Sequence, residues 1–356
     1  MENIREFDKN MVVETKIERE GLVFKNVVEE PFSVHGLKRY SVFENSRVAW
    51  ARMPDEISKE VSTQIYSHSK ITAGGRIRFC TDSPYVALSA VIAKRGFMSQ
   101  LTPIAMAGFD LYVGNDYYKT FIPPITVAAD GGFESVIDFP TSEMREITIN
   151  FPLYFCVDEV FIGTKEGCTV KKSCGYLDMK PIVYYGSSIT MGGCANRPGN
   201  TYESIIARET NVDYINLGFA GAAKGEQRMA EYIATLDMSM FVLDYDYNAS
   251  SPEDLENTHE NFFKIIRQAH PDIPVLIMSR PVYFPTPEEI LRRDIIKKTY
   301  DNAVSSGDKN VYFIDGTTLL DECRNEGTVD GIHPTDLGFH CFAGKVLPVI
   351  RKALKL

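Results

Sequence analysis

Two separate stretches of the chain carry side chains that together could cleave an ester or amide bond. The first, residues 182–188, reads Ile-Val-Tyr-Tyr-Gly-Ser-Ser; its apolar start predicts a short buried strand, and the glycine permits a sharp turn. That turn would leave the hydroxyl of Ser188 at the end of the strand. The second stretch, residues 330–334, supplies an acid, Asp330, three residues before a base, His333. A serine, an aspartate and a histidine in this order form a complete set for nucleophilic acyl transfer.

The strands that must hold these residues recur in the carboxyl-terminal half of the sequence. Apolar runs separated by helical segments occur at 182–185, 213–217, 240–244, 275–278 and 311–315. Two helix starts are well marked, because Ser251 precedes a proline and residues 286–289 form a capping box. Alternating strands and helices predict βαβ units and a parallel sheet. Open sheets of this kind keep their chemistry at the carboxyl ends of the strands, where Ser188 would lie.

The amino-terminal half has a different pattern, in which short runs alternate apolar with polar or small side chains. Only residues 54–67 predict a short helix. Many short strands without helices predict a β-sandwich or jelly roll. A charged, glycine-containing stretch over residues 165–180 marks the crossing between the two patterns. We therefore expect a β-domain over residues 1–175 and an α/β domain over residues 176–356.

Composition argues against several classes of partner. The formal net charge of −10 disfavours binding to nucleic acid or to an anionic membrane surface. No apolar run reaches the length of about 18 residues expected of a bilayer-spanning segment, and residues 1–6 lack the apolar core of a signal peptide. The seven cysteines are scattered without a CxxC pair, which indicates reduced thiols and a cytoplasmic location. The histidines other than His333 show no metal-ligand spacing, so no metal site is predicted.

Residues suited to stabilise negative charge follow two more of the predicted strands. Residues 216–221 read Asn-Leu-Gly-Phe-Ala-Gly, and residues 244–248 read Asp-Tyr-Asp-Tyr-Asn. Acyl transfer needs hydrogen-bond donors for the charge that develops on the carbonyl oxygen. The backbone N–H groups of Ser188 and Gly221, together with the side-chain amide of Asn248, would supply this oxyanion hole.

These four stretches, in this order and spacing, resemble the conserved blocks of the SGNH (GDSL-type) hydrolases over roughly residues 181–356. Matched block to block, the resemblance implies Ser188 as nucleophile, Gly221 and Asn248 as oxyanion donors, and Asp330 with His333 as the acid–base pair. It also implies a flavodoxin-like three-layer α/β/α sandwich. The family needs neither a metal nor a cofactor, so none is expected here.

A second resemblance lies upstream, where residues 108–112 read Gly-Phe-Asp-Leu-Tyr. They are similar to the Gly-x-Asp-Leu-Tyr motif of a β-sandwich domain fused before some SGNH esterases. Two departures from the family pattern stand out: Ser187 occupies the usual place of an aspartate, and residues 246–248 read Asp-Tyr-Asn where Gly-x-Asn-Asp is usual. Both leave the predicted catalytic atoms in place, so they bear on substrate fit more than on activity.

Each site residue also has a structural interpretation. Ser188 could cap the helix after the turn, Asn248 could form an Asx turn, and Asp330 could cap the turn that follows it. Two further residues, Arg197 and Asp246, are candidate substrate-binding groups. Arg197 could equally be a solvated loop charge. Asp246 would share a strand face with the aspartate two residues earlier, but no third ligand lies nearby, so packing is favoured over metal binding.

The residues and the resemblance together predict a serine esterase that releases a short acyl group, most simply acetyl, from an oxygen ester. The expected substrate is an acetylated carbohydrate or oligosaccharide, because related esterases with a leading β-sandwich include carbohydrate deacetylases. One alternative is a general short-chain acyl or thioester hydrolase of the platelet-activating-factor-acetylhydrolase type. Another is a non-catalytic carbohydrate-binding protein on the same scaffold. A homo-oligomer is compatible with the sequence.

Overall fold

The computed structural model describes residues 16–42, 48–92, 98–124 and 131–356; the amino-terminal residues 1–6 discussed above lie outside these ranges. Its first half is built mainly from antiparallel strands. The strands are β1 (Leu22–Asn26), β2 (Ser33–His35), β3 (Lys38–Val42), β4 (Val48–Ala51), β5 (Arg76–Thr81), β6 (Tyr85–Ile92), β7 (Phe109–Val113), β8 (Asp116–Phe121), β9 (Gly132–Asp138), β10 (Arg145–Asn150), β11 (Val157–Lys165) and β12 (Val170–Lys171).

These strands form two main antiparallel sheets in the described residues. One has the order β1-β11-β6-β9, and the other has the order β12-β5-β10-β7-β8 with β2 paired to β5. Inward-facing side chains of both sheets, such as Phe79 and Ile147 from one and Leu88 and Ile162 from the other, belong to a single buried apolar cluster. Two sheets that share a core in this way form a sandwich. The predicted β-rich domain is present, whereas its jelly-roll connectivity stays a prediction.

The helices of this half differ from the expectation of one helix over residues 54–67. That segment contains α1 (Asp55–Val61) and α2 (Thr63–Ser69), separated at Ser62, whose side chain caps α2. A third helix, α3 (Pro103–Ala107), was not predicted. Its five residues are too few for an amphipathic period to stand out, although Thr102 caps it and a proline begins it.

The second half alternates parallel strands with helices, as predicted. Its strands are β13 (Ile182–Gly186), β14 (Tyr214–Gly218), β15 (Met240–Asp244), β16 (Val275–Met278) and β17 (Val311–Ile314). Its helices are α4 (Ser188–Met191), α5 (Tyr202–Thr210), α6 (Gln227–Ile233), α7 (Pro252–Ala269), α8 (Pro287–Ser305) and α9 (Asp336–Leu354). The capping hydroxyl of Ser251 and the capping box at Thr286 are both confirmed.

The five parallel strands lie in the order β14-β13-β15-β16-β17, the 2-1-3-4-5 order of flavodoxin-like folds. Successive side chains of β13 enter different apolar clusters: Tyr184 belongs to the cluster that includes α5 and α9, and Tyr185 to the cluster that includes α6, α7 and α8. Helices therefore cover both faces of the sheet. Among the described residues, no helix has the length and apolarity needed to cross a bilayer.

The two halves share buried surface. The apolar cluster of the β-domain continues into the first layer of helices, so that Phe151 and Leu153 lie in the same cluster as Ile189 and Met191 of α4. Helix α4, which begins at Ser188, is thus packed against the β-domain as well as against its own sheet. The predicted boundary after residue 175 falls in the segment that joins β12 to β13.

Candidate active site

Ser188 lies at the turn between β13 and α4. The strand ends at Gly186, where only glycine fits because a Cβ would overlap Thr190 Oγ1 and the backbone oxygen of Asp244. Ser187 then caps α4, since its side chain accepts a hydrogen bond from the N–H of Ile189 at 3.2 Å. The capping role considered for Ser188 therefore belongs to its neighbour, and the Ser188 hydroxyl has a different partner.

That partner is the imidazole of His333. Ser188 Oγ lies 2.9 Å from His333 Nε2, and His333 Nδ1 lies 2.7 Å from Asp330 Oδ2. The structure thus brings the three residues predicted from two distant stretches into one hydrogen-bonded chain. When Nδ1–H donates to the carboxylate, Nε2 is free to accept the serine proton, which is the arrangement that a general base requires.

The Asp330 carboxylate is held in its charged form. Partial burial raises its pKa, but the hydrogen bonds from the His333 N–H, the His333 ring and the Ile332 N–H outweigh this, so the pKa lies below its ordinary value. The two backbone bonds to Oδ1 measure 2.8 and 3.0 Å. The turn-capping role considered for Asp330 and its contact with the imidazole therefore coexist, because they use different oxygens.

The loop that carries this acid–base pair is fixed to the loop after the nucleophile. The N–H of Val329 donates to the His333 carbonyl at 3.0 Å, and the N–H of Cys194 donates to the Pro334 carbonyl at 2.8 Å. Because Cys194 follows α4 closely, this bond ties the imidazole's loop to the segment that positions Ser188.

The predicted oxyanion donors converge on the same cavity. Asn248 Nδ2 donates one hydrogen to the Phe219 carbonyl at 2.8 Å, which leaves its second hydrogen available. Gly221 has a φ of +65°, a conformation that favours glycine. In the part of the chain that the structure describes, neither the Ser188 N–H nor the Gly221 N–H has an acceptor. Ser188, Gly221, Asn248 and His333 all line the cavity.

This cavity has a volume of about 350 Å³, and the β-domain provides part of its wall. Met98, Gln100, Leu101 and Tyr154 line it opposite residues of the α/β domain. Sequence reasoning missed these four residues. They lie in irregular segments or beside a five-residue helix, and their spacing in the sequence does not indicate that they line a pocket with residues much later in the chain.

A larger groove of about 950 Å³ lies elsewhere, between α7 and α8. Its lining includes Phe263, Arg267 and Asn302 but none of the predicted site residues. We assign the active site to the smaller cavity because it contains the paired hydroxyl and imidazole.

Arg197 does not lie in the cavity lining, so its prediction as a substrate-binding residue is corrected. Its Nη1 is 2.9 Å from Asp110 Oδ2, and its guanidinium carbon lies 3.8 Å from the ring centroid of Tyr117. The side chain of Asp110 is fully buried and also accepts from the N–H of Gly199 at 2.8 Å. The Gly-x-Asp-Leu-Tyr motif therefore anchors the loop that follows the nucleophile, and Arg197 is neither a pocket residue nor a solvated charge.

Asp246 is also corrected. Its side chain is buried and accepts from the N–H of Arg280 at 3.0 Å, while the guanidinium groups of Arg280 and Arg292 lie 3.0 and 3.4 Å from Oδ1. A carboxylate enclosed by two arginines has no face left for substrate. It fixes the loop on which Asn248 lies. The packing role favoured over a metal site agrees with this, and the described residues contain no cluster of three metal-ligating side chains.

The parallel sheet and the hydrogen-bonded chain at its carboxyl edge are typical of α/β serine hydrolases. Family comparison is more specific. Residues 179–351 match the GDSL-like lipase/acylhydrolase family, and residues 22–170 match the GxDLY domain, the N-terminus of SGNH-hydrolase-type esterases. Residues 179–351 therefore form an SGNH (GDSL-type) acylhydrolase domain, residues 22–170 form a GxDLY domain, and the protein is a carboxylic ester hydrolase.

Solved structures agree with this placement. A GDSL-like lipase from Bacteroides ovatus is 27% identical, with a TM-score of 0.82 over 94% of this chain and 98% of its own. Two more distant structures share the fold. The salicylyl-acyltransferase SsfX3 of a tetracycline biosynthetic pathway is 20% identical, with a TM-score of 0.76 over 95% of this chain and 98% of its own. The acetyl xylan esterase Est2A from the rumen bacterium Butyrivibrio proteoclasticus is 11% identical, with a TM-score of 0.59 over 94% and 99%. No curated protein matches significantly.

Proposed function

We propose that this enzyme hydrolyses short-chain, most simply acetyl, oxygen esters of carbohydrates through an acyl-enzyme formed on Ser188. The observation that carries the proposal is the chain of two hydrogen bonds, 2.9 and 2.7 Å long, that joins Ser188, His333 and Asp330 at a cavity edged by oxyanion donors.

In the proposed mechanism, Ser188 Oγ attacks the ester carbonyl while His333 Nε2 takes its proton. The negative oxygen of the tetrahedral intermediate accepts hydrogen bonds from the N–H groups of Ser188 and Gly221 and from Asn248 Nδ2. His333 then gives the proton to the departing alcohol oxygen, and the C–O bond breaks. Water, deprotonated by the same imidazole, attacks the acyl-enzyme and releases the acid. Asp330 holds the imidazole tautomer and orientation throughout.

The size of the cavity supports a short acyl group. At about 350 Å³ it lies near the lower end of the range of about 300–1,000 Å³ typical of ligand pockets. Leu101 and Tyr154 of the β-domain and Tyr247 of the α/β domain line it. A long acyl chain would need an apolar channel beyond this volume.

The carbohydrate part of the proposal is supported by the descriptions of other proteins that share this fold. Several structures of similar fold are described as carbohydrate esterases, one of them as an acetyl xylan esterase and another in complex with cellohexaose. Because their sequences are distant from this chain, these structures guide the choice of which substrates to test first.

The test uses p-nitrophenyl acetate, butyrate and octanoate with the purified wild type, Ser188→Ala and, as a matched control, Ser305→Ala at the exposed end of α8. We expect acetate to be cleaved best, Ser188→Ala to lose at least about 10³-fold in kcat/KM, and the control to match the wild type. Released acetate is then measured directly from acetylated xylo- and manno-oligosaccharides. Acetate must be measured directly because an enzyme that transferred the acetyl group to another alcohol would release no free acetate.

Other outcomes would favour the alternatives. Faster cleavage of the octanoyl ester, or of an acyl thioester, would replace the carbohydrate proposal with a general acyl or thioester hydrolase. If neither the simple esters nor the acetylated oligosaccharides are cleaved, the non-catalytic carbohydrate-binding protein becomes the better description.

A further inference from the structure

Arg52 belongs to the β-domain but reaches the catalytic domain. It follows β4, is 3% exposed, and its guanidinium group lies against the carboxyl end of β14. Its Nη1 donates to the carbonyls of Gly218 and Asn216, the latter at 3.3 Å, and its Nη2 donates to the His68 carbonyl at 2.7 Å. One planar cation thus joins the last turn of α2 to the last residues of β14.

Those last residues lead directly into the segment that carries Gly221. The guanidinium carbon of Arg52 lies 4.5 Å from the ring centroid of Phe219, the first residue after β14. The carbonyl of Phe219 is the acceptor that orients the Asn248 amide. Arg52 therefore contacts Phe219, whose carbonyl orients the side-chain amide of Asn248. Phe219 also precedes Gly221, another proposed oxyanion donor, by two positions.

The same strand end is linked to the helix of Ser188. Asn216 Nδ2 donates to the Thr190 carbonyl, and Asn216 Oδ1 accepts from the Gly218 N–H at 2.9 Å. A Cβ at Gly218 would overlap the N–H of Met191, so strand and helix are in direct contact. The end of β14 therefore contacts the segments that hold all three proposed oxyanion donors. They are the helix of Ser188, the segment that carries Gly221, and Phe219, which orients Asn248.

We infer that Arg52 is a positioning residue, through which the β-domain holds the oxyanion donors at the distance that the transition state requires. The inference rests on the proposed roles of Ser188, Gly221 and Asn248. Charge-assisted hydrogen bonds from a planar, buried guanidinium restrict the carbonyls they contact. Oxyanion stabilisation depends on donors placed in advance, and small displacements reduce the rate steeply.

The chain contains a matched control at the other end of the same strand. Arg76 also belongs to the β-domain and is 2% exposed. Its Nη2 donates to the Tyr214 carbonyl at 2.8 Å and pairs with Asp213, and its guanidinium carbon lies 3.7 Å from the Tyr214 ring centroid. Arg76 and Arg52 thus make the same kind of contact between the domains, but only Arg52 makes it beside the oxyanion donors.

The experiment compares Arg52→Met, Arg52→Lys and Arg76→Met with the wild type. For each, kcat/KM on p-nitrophenyl acetate, the dissociation constant of methylboronic acid, and the thermal melting curve are measured. The boronic acid forms a tetrahedral adduct with the serine, so its affinity reports the oxyanion hole. Arg52→Met should lower kcat/KM by about 10- to 100-fold and weaken the boronic acid by a similar factor. Arg52→Lys should recover part of both. Arg76→Met should lower the melting temperature and leave both constants unchanged in the folded protein.

The inference is overturned if Arg52→Met retains wild-type kcat/KM, or if Arg76→Met loses as much activity and boronic acid affinity as Arg52→Met. Should Arg52→Met not fold, Arg52→Lys decides the question, because wild-type kcat/KM in that variant would show that guanidinium geometry is unimportant. Failure of the proposed function has a different signature: Ser188→Ala would then be as active as the wild type.

Discussion

Two aspartates lie near Ser188, the proposed nucleophile, and their surroundings differ in almost every respect. Asp244, the last residue of β15, is buried against α4, where Thr190 Oγ1 and Tyr202 Oη donate to its Oδ2 at 3.1 and 3.4 Å. Asp330 lies in an exposed loop and accepts from two backbone N–H groups and from the His333 ring. Hydroxyl groups and apolar surface enclose one carboxyl group, whereas N–H donors and solvent surround the other.

These surroundings move the two pKa values in opposite directions. Burial raises the pKa of Asp244 to about 8, with the charge of Asp246 adding to this and the Thr190 hydrogen bond opposing it. Burial also raises the pKa of the neighbouring Glu203 well above its usual range. The pKa of Asp330, in contrast, is lowered by its N–H donors despite partial burial. The ends of β13 and β15, where they pack against α4, form the floor of the site, and at neutral pH the Asp244 carboxyl group in this floor is mainly protonated. Asp330, in the exposed loop, carries a negative charge.

The comparison shows how one type of side chain serves two purposes at one sheet edge. An ionised carboxylate is needed where an imidazole must be oriented and its developing positive charge stabilised. Under the nucleophile a second negative charge would oppose the oxyanion, and a neutral, hydrogen-bonded carboxyl group avoids this. Asp330 is thus placed for the role proposed for it beside the His333 imidazole, and Asp244 is placed to stabilise the turn that carries Ser188.

The largest effect is expected for Asp330→Asn. In Asp330→Asn the single amide oxygen would keep the two backbone N–H bonds, and the NH2 group would face Nδ1. The imidazole would then take the opposite tautomer and lose its counter-charge. We expect kcat/KM for p-nitrophenyl acetate to fall by about 10²- to 10⁴-fold, with little change in melting temperature because the residue is exposed. Steady-state kinetics and thermal melting of the purified variant measure the two quantities.

Asp244→Asn is the matched control for this prediction. It replaces a mainly neutral carboxyl group with a neutral amide of the same shape, so the variant should keep most of its activity. If Asp244→Asn lost as much kcat/KM as Asp330→Asn, the two carboxyl groups would not have separate roles.

The second prediction concerns stability at rising pH. In the unfolded chain an aspartate titrates at about pH 4, whereas the folded protein keeps the proton on Asp244 up to about pH 8. Between those pH values the folded protein therefore binds more protons than the unfolded chain. This contribution to stability is complete below about pH 4 and is lost as the pH rises through the folded pKa, at up to about 1.4 kcal/mol per pH unit. Asp244→Asn removes the titration, so urea unfolding should show the variant gaining on the wild type between about pH 5 and 8.

Asp330→Asn tests the opposite sign. Because the folded pKa of Asp330 is lowered, its contribution is present above the unfolded value and is lost as the pH falls. The difference in unfolding free energy between this variant and the wild type should therefore stay constant over the same range of about pH 5 to 8. If Asp244→Asn also ran parallel to the wild type there, a protonated Asp244 would be ruled out.

The elements that carry these groups could be predicted because their signals are local. The strand ending at Gly186 and the capping box at Thr286 depend on neighbours in the chain, and both agree with the structure. Short motifs also singled out Ser188 and His333, and the structure places Ser188 Oγ 2.9 Å from His333 Nε2.

Contacts between distant segments could not be predicted in this way. The sequence left Arg197 as either a substrate-binding group or a solvated loop charge, but its partner Asp110 lies in the β-domain, 87 residues earlier. Asp246 is likewise paired with arginines 34 and 46 residues away. Neither partner is related to its residue by any strand or helix period, so composition and spacing carry no trace of the pairing. The contribution of Arg52 and of the cavity wall from the β-domain was hidden for the same reason.

The third prediction uses a glycine in the crowded floor. In Gly186→Ala the new Cβ would overlap Thr190 Oγ1 and the backbone oxygen of Asp244, and the backbone cannot move without shifting β15. Urea unfolding should show a loss of about 1–3 kcal/mol. Activity should fall as well, since the turn that presents Ser188 would have to move. A variant as stable as the wild type would mean that the floor is loosely packed.

The smallest effect is expected for Gly331→Ala, the matching change in the loop. Gly331 has a φ of +85°, but a Cβ there would have no atom within 4 Å, so the substitution adds strain without a collision. A left-handed alanine costs about 1–2 kcal/mol, and an exposed loop can relax part of that. We expect a stability loss of about 1 kcal/mol or less by urea unfolding and a smaller fall in kcat/KM than in Gly186→Ala. If the loop variant lost more stability than the floor variant, the loop would be the more tightly constrained region, and the exposed carboxylate of Asp330 would owe its position to packing as much as to its hydrogen bonds.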